Sequence, residues 1–288
     1  MLSVYIKGLL IGIANIMPGV SGSTLALALG IYYKIIHSCS NIIKLRDSKN
    51  ITFLIPLFLG ILTSIIICSK ALKIYLLDGG IKEACLTMFF VGSITRILFI
   101  IKKEIKIKEI TNKDNNNMKY YLFLIGFFST IFLLIIRSHN LSFDISKYQD
   151  KNSIEYCLLI IGSGLISGSA MIIPGISGSI LLIILGTYKE IINIVSTLNI
   201  KLCILFSIST IIGSGITILI IKKTIDKHLI KFLYLSSGLI LGSISQMLFI
   251  IINLNFNPSL IFFIILIILF TLGLQTIKII EIRLKTSS

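Results

Sequence analysis

The sequence predicts an all-α polytopic membrane protein made of two inverted repeats, and three observations carry that prediction. The 288 residues are 55% hydrophobic and 14% charged, with a mean hydropathy of +1.00, whereas a soluble domain carries roughly 25% charged residues. Pro18, Gly19, Val20, Ser21, Gly22 and Ser23 return as Pro174, Gly175, Ile176, Ser177, Gly178 and Ser179, at an offset of 156. Each copy heads the same succession of apolar runs. Each half holds an odd number of crossings, so the second must enter the bilayer upside down.

The first apolar limb, residues 2 to 16, and the second, 23 to 36, are each shorter than the roughly 20 residues that span a bilayer. They predict a re-entrant helical hairpin with the Pro-Gly turn at its tip. Proline lacks an N–H and glycine favours other backbone regions, so no α-helix continues comfortably through this run. At membrane depth such a break is tolerated only where it is buried in protein or lines a cavity. Three spanning helices are expected next, at 51 to 69, 84 to 101 and 119 to 136. The second half repeats the order, with limbs at 154 to 172 and 176 to 195, long enough to leave full spans open, and spans at 200 to 221, 230 to 252 and 259 to 280.

The duplication reaches beyond the six-residue run. Gly8, Gly12, Ala14, Gly30 and Tyr32 align with Gly164, Gly168, Ala170, Gly186 and Tyr188. Further on, Gly92, Ser93 and Ile94 align with Gly242, Ser243 and Ile244, at an offset of 150. The expected organisation is one integral membrane domain over 1–288, with repeat one at 1–140 and inverted repeat two at 150–288. Gly8 with Gly12, and Gly164 with Gly168, have the small-xxx-small spacing that lets helices approach closely.

The net charge of +15 does not read as a nucleic-acid footprint. The Lys and Arg residues sit in short loops between apolar runs, so topology and anionic membrane lipids are the better reading. Of 27 basic residues, 18 fall on one side and 8 on the other, with Arg96 left inside a helix. The positive-inside rule then places both termini in the cytoplasm. The first 17 residues are not read as a signal peptide, because their copy lies mid-chain. Cys39, Cys68, Cys85, Cys157 and Cys203 show no CxxC, and His37, His139 and His228 lack ligand spacing. No disulfide framework, metal site or cofactor is expected.

The chemistry concentrates at the two breaks. After each Pro-Gly turn a new limb opens with Ser21, Gly22, Ser23 and Thr24, or with Ser177, Gly178 and Ser179. The first N–H groups of a helix lack internal partners and the dipole puts partial positive charge there. Glycines let an anion approach the backbone and serine hydroxyls can donate to it, which makes a cradle for phosphate or carboxylate. Arg96 is a cation inside an apolar run, and two readings stand: a partner for the phosphate, or a side chain that snorkels to the surface. Glu190 likewise is either a site for a coupling proton or sodium ion or an interfacial carboxylate beside Lys189.

Paired Pro-Gly-x-Ser-Gly-Ser segments, each followed by Leu-Gly-x-Tyr (Leu29 to Tyr32, Leu185 to Tyr188), with Val-Gly-Ser-Ile at 91 to 94 and Leu-Gly-Ser-Ile at 241 to 244, resemble the bacterial polyprenyl-phosphate transporter family of PopT type. The likeness covers nearly the whole chain. It implies a multi-pass protein of the bacterial plasma membrane that is not an enzyme. It further implies a flippase that returns undecaprenyl phosphate to the cytoplasmic face for cell-wall polymer synthesis. Carried onto this sequence, the head-group site comprises Pro18, Gly19, Ser21, Gly22, Ser23, Thr24, Pro174, Gly175, Ser177, Gly178 and Ser179, helped by Arg96. The chain departs from the family pattern at Ser23, where a second glycine is common, and at Tyr33 and Lys34, where an acidic residue is often seen and the second copy keeps Glu190. Two alternatives stand beside this reading. The first motif also resembles the Pro-Gly-x-Ser-Arg-Ser loop of the undecaprenyl-pyrophosphate phosphatase family, but Gly22 and Gly178 replace its arginine and no membrane-depth glutamate pair offers a general base. A transporter of small soluble anions would differ in having a cavity closed to lipid.

Overall fold

The computed structural model describes residues 1–16, 20–45, 50–76, 81–112, 118–138, 153–197, 199–252 and 260–286, and all the secondary structure in them is helical. The helices are α1 (Leu2–Ile16), α2 (Gly22–Ala28), α3 (Tyr32–Ile43), α4 (Ile51–Leu76), α5 (Ile81–Asn112), α6 (Met118–Ser138), α7 (Ile154–Ile172), α8 (Gly178–Ile184), α9 (Tyr188–Ser196), α10 (Ile200–Ile252) and α11 (Leu260–Thr286). Five of them contain stretches long and apolar enough to cross a membrane: 83–110, 118–138, 154–172, 200–249 and 260–282. The chain is a multi-pass membrane protein.

The first limb occupies residues 2 to 16, as expected, but each second limb is two helices rather than one. Gly30 (φ 67°) and Gly186 (φ 70°) adopt the left-handed conformation that glycine takes without a Cβ penalty. Around Gly30 the Ile31 N–H donates to the Ala26 carbonyl and the Gly30 N–H to that of Leu27. Around Gly186 the pairs are Thr187 to Leu182 and Gly186 to Ile183. These are Schellman motifs, so the Leu-Gly-x-Tyr run ends α2 and α8 after seven residues each. The 53 residues of α10 are two helices joined at His228, whose backbone (φ −141°, ψ 49°) is not helical. Straight, they would reach about 80 Å, far beyond a bilayer of about 30 Å.

Glycine contacts fix which helices meet. Lipid is as apolar as leucine, so close van der Waals approach, not transfer from water, holds membrane helices together. A Cβ on Gly8 would stand 2.3 Å from the Leu57 carbonyl oxygen, and one on Gly60 2.3 Å from that of Tyr5. Gly168 against Thr210 and Gly213 against Leu165 make the corresponding contact of α7 with α10, each at 2.2 Å. Contacts advance together along both pairs, from Gly8 on Leu57 to Gly12 on Ile61 and from Gly164 on Phe206 to Gly168 on Thr210, so α1 runs parallel to α4 and α7 to the first part of α10. The other long helices pair between halves of the chain: Gly92 of α5 meets Phe270 of α11, and Gly238 of α10 meets Phe123 of α6, each at 2.1 Å. The largest core, with Leu29, Tyr32, Ile97, Leu233 and Met247 fully buried, fills the space between these pairs.

Charged groups gather at one end of the bundle. Tyr33 donates to Glu104 at 3.1 Å, Lys119 pairs with Glu109, Tyr234 donates to Glu109 at 3.0 Å, and His37 lies 3.3 Å from Asp226. These contacts bring together α3, the C-terminal part of α5, the start of α6 and the kink of α10.

Candidate functional site

Each break opens a short helix whose cap serine turns away from the cap. Ser21 (φ −106°, ψ 129°) and Ser177 (φ −97°, ψ 126°) are extended N-cap residues, yet neither hydroxyl caps an amide. Instead Ser21 Oγ lies 2.6 Å from Ser23 Oγ, and Ser177 Oγ lies 2.8 Å from Ser179 Oγ. Each pair holds two protons and spends one on the mutual bond, so one O–H per motif remains to donate elsewhere.

The two motifs meet. Ser21 from the first and Ser177, Gly178 and Ser179 from the second line one cavity of 170 Å³, together with Asn15 and Ser167. Thr210 completes the polar lining, while Val20, Met171, Ile176 and Phe206 supply apolar wall. Ser167 and Thr210 donate to carbonyls of their own helices, at 3.2 and 2.8 Å. Beside the cavity lies a 360 Å³ groove walled by Leu165, Ile166, Ile173, Leu181 and Ile216. Ile176 borders both spaces, and Ile166 and Ile216 are exposed on the outer face.

Other residues singled out by sequence hold the motifs in place. Thr24, buried, accepts the Gly175 N–H at 2.8 Å. Gly175 (φ 88°) presses against the Leu239–Ile240 backbone, where a Cβ would come within 2.6 Å of Ile240 N; Pro174 beside it is buried. The glycines in the serine runs admit neighbouring helices: a Cβ on Gly22 would meet Asn15 Oδ1 at 2.3 Å, and one on Gly178 the Ser167 carbonyl oxygen at 3.0 Å. The Gly22 N–H donates to Asn15 Oδ1 at 3.0 Å. Gly22, Ser23, Thr24, Pro174 and Gly175 thus buttress the cavity, and Pro18 and Gly19 lie outside the described residues.

Arg96 and Glu190 stand apart from the cavity. Arg96 Nη2 donates to Glu281 Oε2 of α11 at 2.9 Å, with both side chains largely buried, and its buried Nε has no hydrogen-bond partner among the described residues. Glu190 accepts the Tyr156 hydroxyl at 2.6 Å, one residue before Ile191 of the cavity wall. Asn15 is the residue that sequence reasoning missed. Its signal was a lone amide in an otherwise apolar limb, opposite Met171 at the same offset of 156.

A polytopic helical membrane protein whose two interrupted helices place serines from both halves around one cavity: this is the class that fold and site define. A family model described as VCA0040-like, undecaprenyl phosphate translocase-like, matches residues 11–255, and the chain belongs to that family. It is 27% identical over 258 residues to the polyprenyl-phosphate transporter of Vibrio cholerae serotype O1, covering 85% of this chain and 77% of that one. It is 30% identical over 248 residues to the polyprenyl-phosphate transporter of Staphylococcus aureus, covering 83% of each. No solved structure gives a significant match.

Proposed function

We propose that this chain carries a polyprenyl phosphate, undecaprenyl phosphate in particular, across the bacterial plasma membrane and so returns the carrier lipid to the cytoplasmic face for wall-polymer synthesis. One observation carries the reading: serines of both motifs line a single cavity beside an apolar groove. A lipid phosphate needs donors for its head and an apolar path for its tail. One O–H from each serine pair and the Asn15 amide supply the donors, and the groove past Ile176 supplies the path. A small soluble anion has no use for such a groove.

The helix directions support inverted re-entrant hairpins. With α1 parallel to α4, the chain between them must return to the end where it began, and the same holds for α7 and the first part of α10. The second hairpin then enters from the opposite face, and rocking of the two halves alternates access to the chamber. The end that gathers the charged pairs is the cytoplasmic one, with both termini there. Arg96, held by Glu281, clamps α5 to α11 in this reading, and Glu190 beside the wall is the group placed to take a coupling proton or sodium ion.

The test is transbilayer movement of polyprenyl phosphate in vesicles containing the purified protein. Movement well above that of protein-free vesicles is expected. Equal rates would overturn the reading, and release of inorganic phosphate from the pyrophosphate lipid would favour a hydrolase instead.

A further inference from the structure

A second polar recess lies at the charged end of the bundle, where α3 ends and α10 approaches its kink. It is an open cavity of 450 Å³ lined by Lys44, Lys222, Lys223 and Lys227, with Asp226 as its one acidic member and Leu219 and Ile220 as its apolar side. Asp226 is already engaged, 3.2 Å from Lys222 and 3.3 Å from His37. Lys44, Lys223 and Lys227 have no carboxylate within ion-pair distance among the described residues. Three ammonium groups around one recess are an electrostatic trap for an anion. The recess differs in kind from the serine chamber, whose described lining residues are neutral.

Its position gives the anion a tail. Ile204, Ile208, Ile212, Ile216 and Ile220 recur every fourth residue along α10 and are all exposed, forming one stripe on the helix face. The stripe ends at the lysine recess, which Ile220 lines. It passes the apolar groove, which Ile216 lines. Thr210 of the chamber and Lys223 of the recess are 13 residues apart on α10, about 20 Å at 1.5 Å per residue. That is the separation between mid-bilayer and the head-group region of one leaflet, for a hydrocarbon core of about 30 Å.

We infer that the lysine recess is a second head-group site, which holds the phosphate of a polyprenyl phosphate at one membrane face while its tail lies along the isoleucine stripe. Resting on the transport reading for its cargo, the recess is where the lipid waits before entering, or after leaving, the serine chamber. A phosphate monoester suits it because up to two negative charges on one small head can meet several ammonium groups together.

The experiment is photolabelling of the full-length protein in neutral phosphatidylcholine nanodiscs by farnesyl phosphate with a diazirine in its tail. Labelled peptides are mapped for four proteins: the unaltered protein, a chamber variant (Ser21→Ala with Ser177→Ala), a recess variant (Lys44→Gln, Lys223→Gln and Lys227→Gln), and a control with arginine at the three lysines. Labelling of residues 212–223 should persist in the chamber variant and in the arginine control, and fall at least fivefold in the recess variant, while labelling near 165–181 remains in the latter. A tenfold excess of phosphatidylglycerol should leave it unchanged. Labelling of 165–181 alone, or of 212–223 unaffected by the glutamines, overturns the second site and leaves the transport reading standing. Displacement by phosphatidylglycerol makes the recess a general anionic-lipid site and overturns the inference. Labelling of neither segment overturns both readings.

Discussion

Thr24 accepts a hydrogen bond from the backbone N–H of Gly175 at 2.8 Å, joining two motifs that lie 151 residues apart in the chain. The bond runs in one direction only, because the position matching Thr24 in the second motif is Ile180. A second link supports it: the Tyr32 hydroxyl donates to the Ile172 carbonyl at 3.0 Å, at the end of α7. The two halves that contribute to the chamber are therefore joined by bonds outside its lining.

Replacing Thr24 by Val keeps the shape and removes the acceptor. The Gly175 N–H, buried and left without its partner, should then cost about 1–3 kcal/mol. Thermal unfolding in detergent should show the loss for Thr24→Val and little for Thr24→Ser, and transport should fall with the stability.

Close helix contacts give a sharper contrast. A Cβ on Gly92 would stand 2.1 Å from the Phe270 carbonyl oxygen, which is backbone and cannot step aside, whereas one on Gly162 meets nothing within 4 Å. Gly92→Ala should destabilise by about 1–3 kcal/mol through overpacking. Gly162→Ala should be neutral or slightly stabilising, since alanine favours a helix. Unfolding midpoints of the two variants side by side decide this.

The Arg96–Glu281 pair separates a structural arginine from a phosphate ligand. Removing one partner of a buried pair leaves a bare charge and costs about 3–5 kcal/mol when burial is complete; with Arg96 30% exposed, about 2 kcal/mol is expected for Glu281→Gln. The double variant with Arg96→Gln should recover part of that loss. Binding of polyprenyl phosphate to folded Arg96→Gln should match that of the unaltered protein, and a tenfold weaker affinity would instead return Arg96 to the head-group site.

Asn15 both lines the chamber and holds the Gly22 N–H. Asn15→Leu should reduce transport at least tenfold by removing a donor to the head group. Asn15→Asp keeps the acceptor for Gly22 but puts a negative charge in the wall. It should retain stability and still lose transport, a split that unfolding and flux measurements on the same sample would reveal.

Much of the fold was legible because membrane helices are long apolar runs and the duplicated Pro-Gly-x-Ser-Gly-Ser run breaks them at fixed places. The first limb and the junction near residue 228 follow from length and hydropathy alone. The split of the second limbs at Gly30 and Gly186 was not seen, because a Schellman turn inside an apolar run leaves hydropathy unchanged and rests on a single glycine's φ. The serines were legible as a pair of motifs, and the structure brings Ser21, Ser177 and Ser179 to one cavity. Arg96 read as a lone cation because its partner Glu281 lies 185 residues away, a distance no local pattern bridges. Gly22 and Gly178 read as openings for an anion, and of the two Gly178 lines the cavity, while Asn15 fills the space beside Gly22, an approach that depends on how α1 lies.

The most direct measurement is the rate at which polyprenyl phosphate crosses vesicles containing the Ser21→Ala, Ser177→Ala double variant, with unfolding midpoint and reconstitution matched to the unaltered protein. Ser21 and Ser177 bring one cap hydroxyl from each motif to the chamber, so loss of both should bring the rate close to that of protein-free vesicles, while each single variant keeps a measurable fraction. A folded double variant that moves the lipid at the unaltered rate would contradict the serine chamber as the path of the head group.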